Sequence, residues 1–553
     1  MTRHAFHRTA RFLSVVVLAF VVISCRGCNK PETQLIDLAA TDARMVVAVG
    51  DLNQVVRDIA AFAVKATQRA GKEALEGSRK SLSDQLGFDP FTANDFDVSG
   101  IAASRGAVMF AEGAGTEGII GLHVANRSKF DAWLKGLVQR NSGADQIGTE
   151  VKDGVTLQVA SRPFGSERAT SLYWAFVEDD VLVTRPEGGD SLAAAVKRLT
   201  TRASGSAVAK TPFSSDPTYL SLSSKVPNGD IRVFGRGEPT GADGVPHSAG
   251  IISAFDISDS GLELDSFVDF KVPGLAEAID SDGPLELTTM IESDAVMVVA
   301  TGIAKPQVLN ALKGSSMTKE SVERITEQFA RTTTFDIEKD VMPLLAGPVT
   351  MGVHLTDLTA LPTTLARRQS LSALLDFVHV SLVAKVTSRE QMIALLDKGA
   401  KVLEEKGPKV LKTTKKIGGK DAVIYSPAGA GGPSTIGWGV IGDLYVYGAG
   451  TGRLERAMDQ GASARADTSV RPKLDHTVGS DLGKSRGSLL LTARSSAIAD
   501  QVALLGKTQD PLVGAMMPMV SQAIEVLRTV GDIAFALEVE KDGLRVKARE
   551  KLQ

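Results

Sequence analysis

Four stretches of this chain occur twice in the same order, and that repetition limits its possible folds more than any other feature. "DARMVVAV" at Asp42 returns as "DAVMVVAT" at Asp294. "HVANRSKFDAWL" from His123 matches "KVTSREQMIAL" from Lys385, with Val124 set against Val386. "LYWAFVEDDVLVT" from Leu172 is echoed by "IGWGVIGDLYVYG" from Ile436, which places Trp174 on Trp438 and Asp179 on Asp443. "FDISDSGLELD" from Phe255 lines up with "LEVEKDGLRVK" from Leu537, Gly261 on Gly543. The offsets are 252, 262, 264 and 282 residues, so order is kept while connections have lengthened. One echo is chance; four in order argue for a duplicated unit.

The two copies read alike. A buried strand opens each (Met45 to Val49; Met297 to Ala300) and a helix follows. Paired strands come next, "GAVMFAE" with "GIIGLHVA" and "GPVTMGVH" with "HVSLVAKV". The next helix has Ser128 or Ser388 as its expected N-cap. Three strands follow, the last two joined by the turns Glu178-Asp179-Asp180 and Gly442-Asp443. A helix, a strand and a closing hairpin complete the unit. Many hairpins and few crossovers imply α+β, here two homologous modules over 42–272 and 285–553, each a mainly antiparallel sheet with helices on one face.

The second copy carries two insertions, at 355–377 and 510–530. The later one holds Leu512, Val513, Met516, Met517 and Met519, broken by Pro518. Such a patch packs a core or lines an adaptable groove for a hydrophobic ligand, which makes a ligand carrier or sensor the alternative function.

The N-terminus supplies a different kind of information. Arg3, Arg8 and Arg11 precede a run from Phe12 to Ile23 in which only Ser14 is polar. About 20 apolar residues are needed to span a bilayer, so this layout reads as a signal peptide. Val22-Ile23-Ser24-Cys25 resembles the lipobox of bacterial lipoproteins. That resemblance implies removal of residues 1–24, acylation of Cys25 with palmitate-class chains, and a tether over 25–41. Arg26, where an Asp favours inner-membrane retention in that family, implies the outer membrane, facing the periplasm or the cell surface. Cys28 is the other of the two cysteines and is left without an intramolecular partner. The segment "LGFDPFTANDFDVSGIAASRGAVMFAE" looks like one found in uncharacterised bacterial envelope proteins. It implies no activity, and the second copy lacks its glycine and proline.

Without residues 1–24 the chain keeps 59 basic against 65 acidic residues, a net charge of −6. This argues against a nucleic-acid partner, which calls for a concentrated basic face. The expected partners are the lipid bilayer, through Cys25, and an envelope protein. A hydrophobic content of 43% suffices for real cores, and aromatics at 5% argue against a carbohydrate-stacking face.

Catalytic motifs fail on context. "GAGTEG" from Gly113 is followed by a strand, whereas a dinucleotide fingerprint requires a helix there. "GAGTGRLERAM" from Gly448 lies between strand and helix and could hold an anion with Arg453, but its spacing fits no phosphate-binding pattern. "VGSDLGKS" has Val478 where a P-loop needs glycine. His123, His247, His354, His379 and His476 lack metal-ligand spacing, although His354 and His379 could face each other across a strand pair. No G-x-S-x-G elbow is present. The expectation is no enzyme, no metal and no cofactor. A structure that set His123 or His354 beside a Ser or carboxylate in a cleft would reopen the question.

Overall fold

Leu172–Val177 reads LYWAFV, apolar at every position, so neither face of that strand can meet water. The computed structural model describes residues 35–552 except 71, 93–95, 113–117, 143–145, 162–171, 204–211, 238–247, 249, 271–273, 280–285, 303–305, 315–318, 357, 361–376, 408, 430–435, 464–467, 473, 475–486, 508–520, 522–523, 525–526 and 529. The chain divides into two compact units, Met1–Asp269 and Phe270–Gln553.

The first unit contains β1 (Met45–Val49), β2 (Ala107–Ala111), β3 (Ile119–His123), β4 (Gln146–Lys152), β5 (Val155–Ser161), β6 (Leu172–Val177), β7 (Asp180–Thr184), β8 (Ile231–Arg236), β9 (Gly250–Ser258) and β10 (Gly261–Val268). They pair antiparallel in the order β4-β5-β6-β7-β3-β2-β1-β8-β9-β10. The second unit contains β11 (Ala295–Thr301), β12 (Leu345–Leu355), β13 (Val378–Val386), β14 (Val410–Ile417), β15 (Lys420–Pro427), β16 (Ile436–Ile441), β17 (Leu444–Ala449), β18 (Gly487–Ala493), β19 (Asp532–Glu540) and β20 (Gly543–Lys551). Their order is β14-β15-β16-β17-β13-β12-β11-β18-β19-β20, again antiparallel throughout. The α+β class expected from the hairpins is what the chain adopts.

Helices cover both faces of each sheet, a correction to the expected single layer. In the first unit Val46, Val108, Phe110, Leu157 and Leu182 pack with Leu192 and Val196 of the helix Gly189–Ala203. Trp174, Val181 and Ala160 point the other way, onto Phe130 and Leu134 of the helix Arg127–Ser142. The second unit repeats this. Val383, Ile424 and Val446 meet Leu454 and Met458 of the helix Arg453–Ser463. Val440 and Tyr425 face Met392 and Leu396 of the helix Arg389–Lys406. The cause is visible in β6 and β15: strands apolar on both sides need two covering layers, each large side chain gaining about 1.5–3 kcal/mol by leaving water.

Two further readings are corrected. Four strands, not three, lie between the two helices of each unit, because β4 and β14 are edge strands. Every residue of β14 from Leu411 to Lys416 is exposed, so it carries no alternating apolar signal. The helix after β3 is capped by Asn126, whose Oδ1 accepts from the Lys129 N–H at 3.0 Å, and not by Ser128. Ser388 does cap its helix, accepting from the Gln391 N–H at 3.3 Å.

Several backbone contacts recur at the offsets of the sequence echoes. The Val124 N–H donates to the Asp179 carbonyl at 2.8 Å, and the Val386 N–H to the Asp443 carbonyl at 2.8 Å. The Arg236 N–H bonds the Arg44 carbonyl, while its guanidinium reaches the carbonyls of Thr41 and Ala43. Arg494 does the same with Val296, Ser293 and Ala295.

Candidate functional site

The two sheets differ along one cross-strand row. In the first unit it reads Phe234, Val46, Phe110, Ile119 across β8, β1, β2 and β3, all at most 1% exposed. The corresponding row of β18, β11, β12 and β13 reads Thr492, Val298, Gly352, Ser381, and continues to Gly448 on β17. Two phenylalanines and an isoleucine thus give way to small or polar residues. A Cβ on Gly352 would lie 2.6 Å from Ile291 Cγ2 and 3.0 Å from both His354 Nε2 and Ser381 Oγ, so only glycine fits.

A buried polar cluster occupies the space. His354 and Ser381 are fully buried, and Arg453, first residue of its helix, is 2% exposed. His354 Nδ1 lies 2.8 Å from Asp294 Oδ1, and its Nε2 lies 2.9 Å from Ser381 Oγ. Nδ1 lies between that carboxylate oxygen and Arg453 Nη1, 3.1 Å away, and in the tautomer with its proton on Nδ1 the ring's Nε2 accepts from the Ser381 hydroxyl. Glu292 Oε2, at 3.2 Å, is a longer second acceptor for that hydroxyl. Arg453 donates to Glu292 Oε1 at 3.2 Å and embraces both oxygens of Asp294 at 3.2 and 3.1 Å. Partial burial pushes the Asp294 carboxyl up, but hydrogen bonds from His354 and Arg453 outweigh it and hold it well below the usual carboxylate range.

Asp294, His354 and Ser381 therefore stand in the hydrogen-bond order of a hydrolytic triad. The order is complete while access is missing: the hydroxyl and the imidazole are both sealed from solvent. Glu292 alone of these residues lines a surface cleft of about 450 Å³, together with Glu455, Arg456, Asp459, Gln460 and Thr468.

The first unit has its own ion pair near the end of β2. Glu112, two residues beyond Phe110 as His354 is two beyond Gly352, pairs with Arg198 and accepts from the Ala40 N–H at 2.9 Å. Burial pushes the Glu112 carboxyl up, and Arg198 only partly offsets it. These opposite shifts give opposite acid responses. The depressed Asp294 contributes stability present above about pH 4, the unfolded carboxylate range, and lost as pH falls through its folded value. Glu112, being raised, favours the folded state below that range and loses this contribution as pH rises through its folded value. Urea unfolding followed by Trp438 in the second unit and by Trp133 and Trp174 in the first should therefore show Asp294→Asn flattening the acid limb of the second unit. Glu112→Gln should remove an acid-side gain in the first. Unchanged pH profiles for both variants would refute the assignment.

The other sequence candidates resolve as follows. His354 and His379 are direct register partners on β12 and β13, as the facing arrangement required. Among the described residues no group of three His, Cys, Asp or Glu is placed to hold a metal ion. Arg453, considered for an exogenous anion, already has two carboxylates of its own chain. The adjacent glycines serve packing: Gly450 has φ +111°, and a Cβ there would fall 2.1 Å from the His379 ring. His123 joins Asp180 at 2.9 Å and Arg105 at 3.1 Å. Cys25, Cys28, Leu512, Met516, Met517 and Met519 lie outside the described residues. Sequence reasoning missed Glu292, Asp294 and Ser381. The one available signal was polar spacing on β13, where His379 and Ser381 alternate with apolar neighbours.

Comparison with protein-family models, curated proteins and solved structures finds no match to this chain.

Proposed function

We propose that this protein is a bacterial envelope lipoprotein, anchored through acylated Cys25, whose two α+β units arose by duplication and act as a structural or partner-binding module rather than an enzyme. The observation that carries the reading is Val22-Ile23-Ser24-Cys25, placed after a basic start and a short apolar run and before a polar tether. Two or three acyl chains suffice for stable anchoring where one does not, each buried CH₂ contributing about 0.8 kcal/mol. Among the described residues no helix is long and apolar enough to cross a membrane. The shared strand order, the matched carbonyl bonds of Val124 with Val386, and the arginine clamps of Arg236 and Arg494 support duplication. The sealed Ser381 supports a non-enzymatic role.

Cells given labelled palmitate are expected to incorporate it into the wild-type chain and not into a Cys25→Ser form, which should leave the membrane fraction. Absence of label in the wild type, with both forms fractionating alike, would remove the anchor. Affinity capture of the lipidated protein from membranes would then identify the protein partner.

A further inference from the structure

The second unit's edge hairpin is basic in a chain that is otherwise acidic. Between Asp397 and Asp421 lie eight lysines and four carboxylates, a surplus of four positive charges in 25 residues, against a mature net charge of −6. Lys401, Lys409, Lys412, Lys415, Lys416 and Lys420 are all exposed. Among the described residues β14 pairs only with β15, so this edge of the sheet faces outward.

We propose that the β14–β15 hairpin docks on an anionic lipid surface. Lysines on an open edge also protect it from aggregation, but the first unit shows that this role does not require them here. Its edge hairpin, 146–161, has the same place in the strand order with one lysine and two carboxylates, where the hairpin 410–427 alone has four lysines and one carboxylate. The fold therefore does not require the basic charge. Lys412 and Lys416 point to one face of β14 and Lys415 to the other. An added partner strand would have to match charges on both faces, whereas a fluid layer of phosphate headgroups can adjust to either. Leu403 and Leu411, 47% and 45% exposed, sit among these lysines. Exposed apolar side chains flanked by snorkelling lysines suit the headgroup boundary. Three lysines have carboxylate neighbours: Lys412 with Asp397, Lys415 with Glu455 and Lys416 with Asp421. Exposed pairs of this kind are weak, and Lys401, Lys409 and Lys420 add charge beyond them.

The inference rests on the envelope location proposed above but not on the acyl chains, so it is tested without them. Mature Cys25→Ser protein is mixed with phosphatidylcholine vesicles containing or lacking phosphatidylglycerol, and binding is read by co-flotation. Binding should require phosphatidylglycerol and fall steeply between 0.05 and ~0.5 M salt, as the screening length shrinks. Changing Lys409, Lys415, Lys416 and Lys420 to Gln should weaken it more than about a hundredfold, at roughly fivefold per lysine near an anionic surface. The same four as Arg should retain it. An unchanged thermal transition separates lost binding from lost folding. Equal binding to neutral vesicles, or no effect of the Gln set, overturns the proposal. So does failure on every vesicle while an acidic extended peptide binds the hairpin, which would point to a protein strand instead. Failure of palmitate labelling with vesicle binding intact would sink only the anchor.

Discussion

Replacing Arg453 with Ala is expected to destabilise the second unit by up to about 3–5 kcal/mol, the cost of removing one partner from a buried ion pair. The guanidinium bonds Glu292 and both oxygens of Asp294, and it is almost wholly buried. Without it Glu292, at 13% side-chain exposure, carries that cost, keeping a negative charge with little water to solvate it, since Asp294 at 57% is screened by water. The urea transition reported by Trp438 should move accordingly, while that of the first unit stays put. The loss should shrink on acidification, because protonated carboxylates no longer need the cation. A pH-independent loss would mean that the packing of the arginine stem matters and its charge does not. A loss under about 1 kcal/mol would place the cluster outside the stability of the unit altogether.

Phe110→Ala should cost the first unit about 3–5 kcal/mol, the range for deleting a fully buried phenylalanine ring. Phe110 lies on β2 between Val46 and Ile119 in the row that the second unit fills with small residues. The second unit tolerates Gly352 at the matching place because Ile291, His354 and Ser381 close over it. Phe110 has Val46 and Ile119 as register partners and shares its core with Leu192, Val196 and Phe213, all fixed by regular strands and helices, so a cavity there stays open. The transition reported by Trp174 measures the effect. A drop under about 1 kcal/mol would show that the first unit can collapse as the second has, and would undercut the comparison of the two rows.

Both experiments rest on a difference that four sequence echoes could not reveal. The echoes mark positions where the two units read alike: the β1 and β11 openings, the turn after β6 and β16, the helix before β4 and β14, the closing hairpins. The differing row falls largely between them, on single inward positions of four strands, and its outer pairs, Val46 with Phe234 and Val298 with Thr492, join residues 188 and 194 apart. Glu292 and Asp294 read as the lead-in to a strand, and Arg453 as the end of a glycine turn. Only antiparallel registration of β11, β12, β13 and β17 brings them to one place.

What the sequence determined by itself is local. Apolar strands, tight turns such as Gly442 with φ +59°, and the Ser388 cap follow from side-chain period and backbone freedom, which act over a few residues. The α+β class followed from the same signals. Tertiary structure decided the rest: the second helical layer, the exposed β4 and β14 edges, and the contact of His354 with Ser381 and Asp294. Each depends on which strands become neighbours, and hydrogen-bond pairing between distant segments sets that, with no periodic mark in either segment alone.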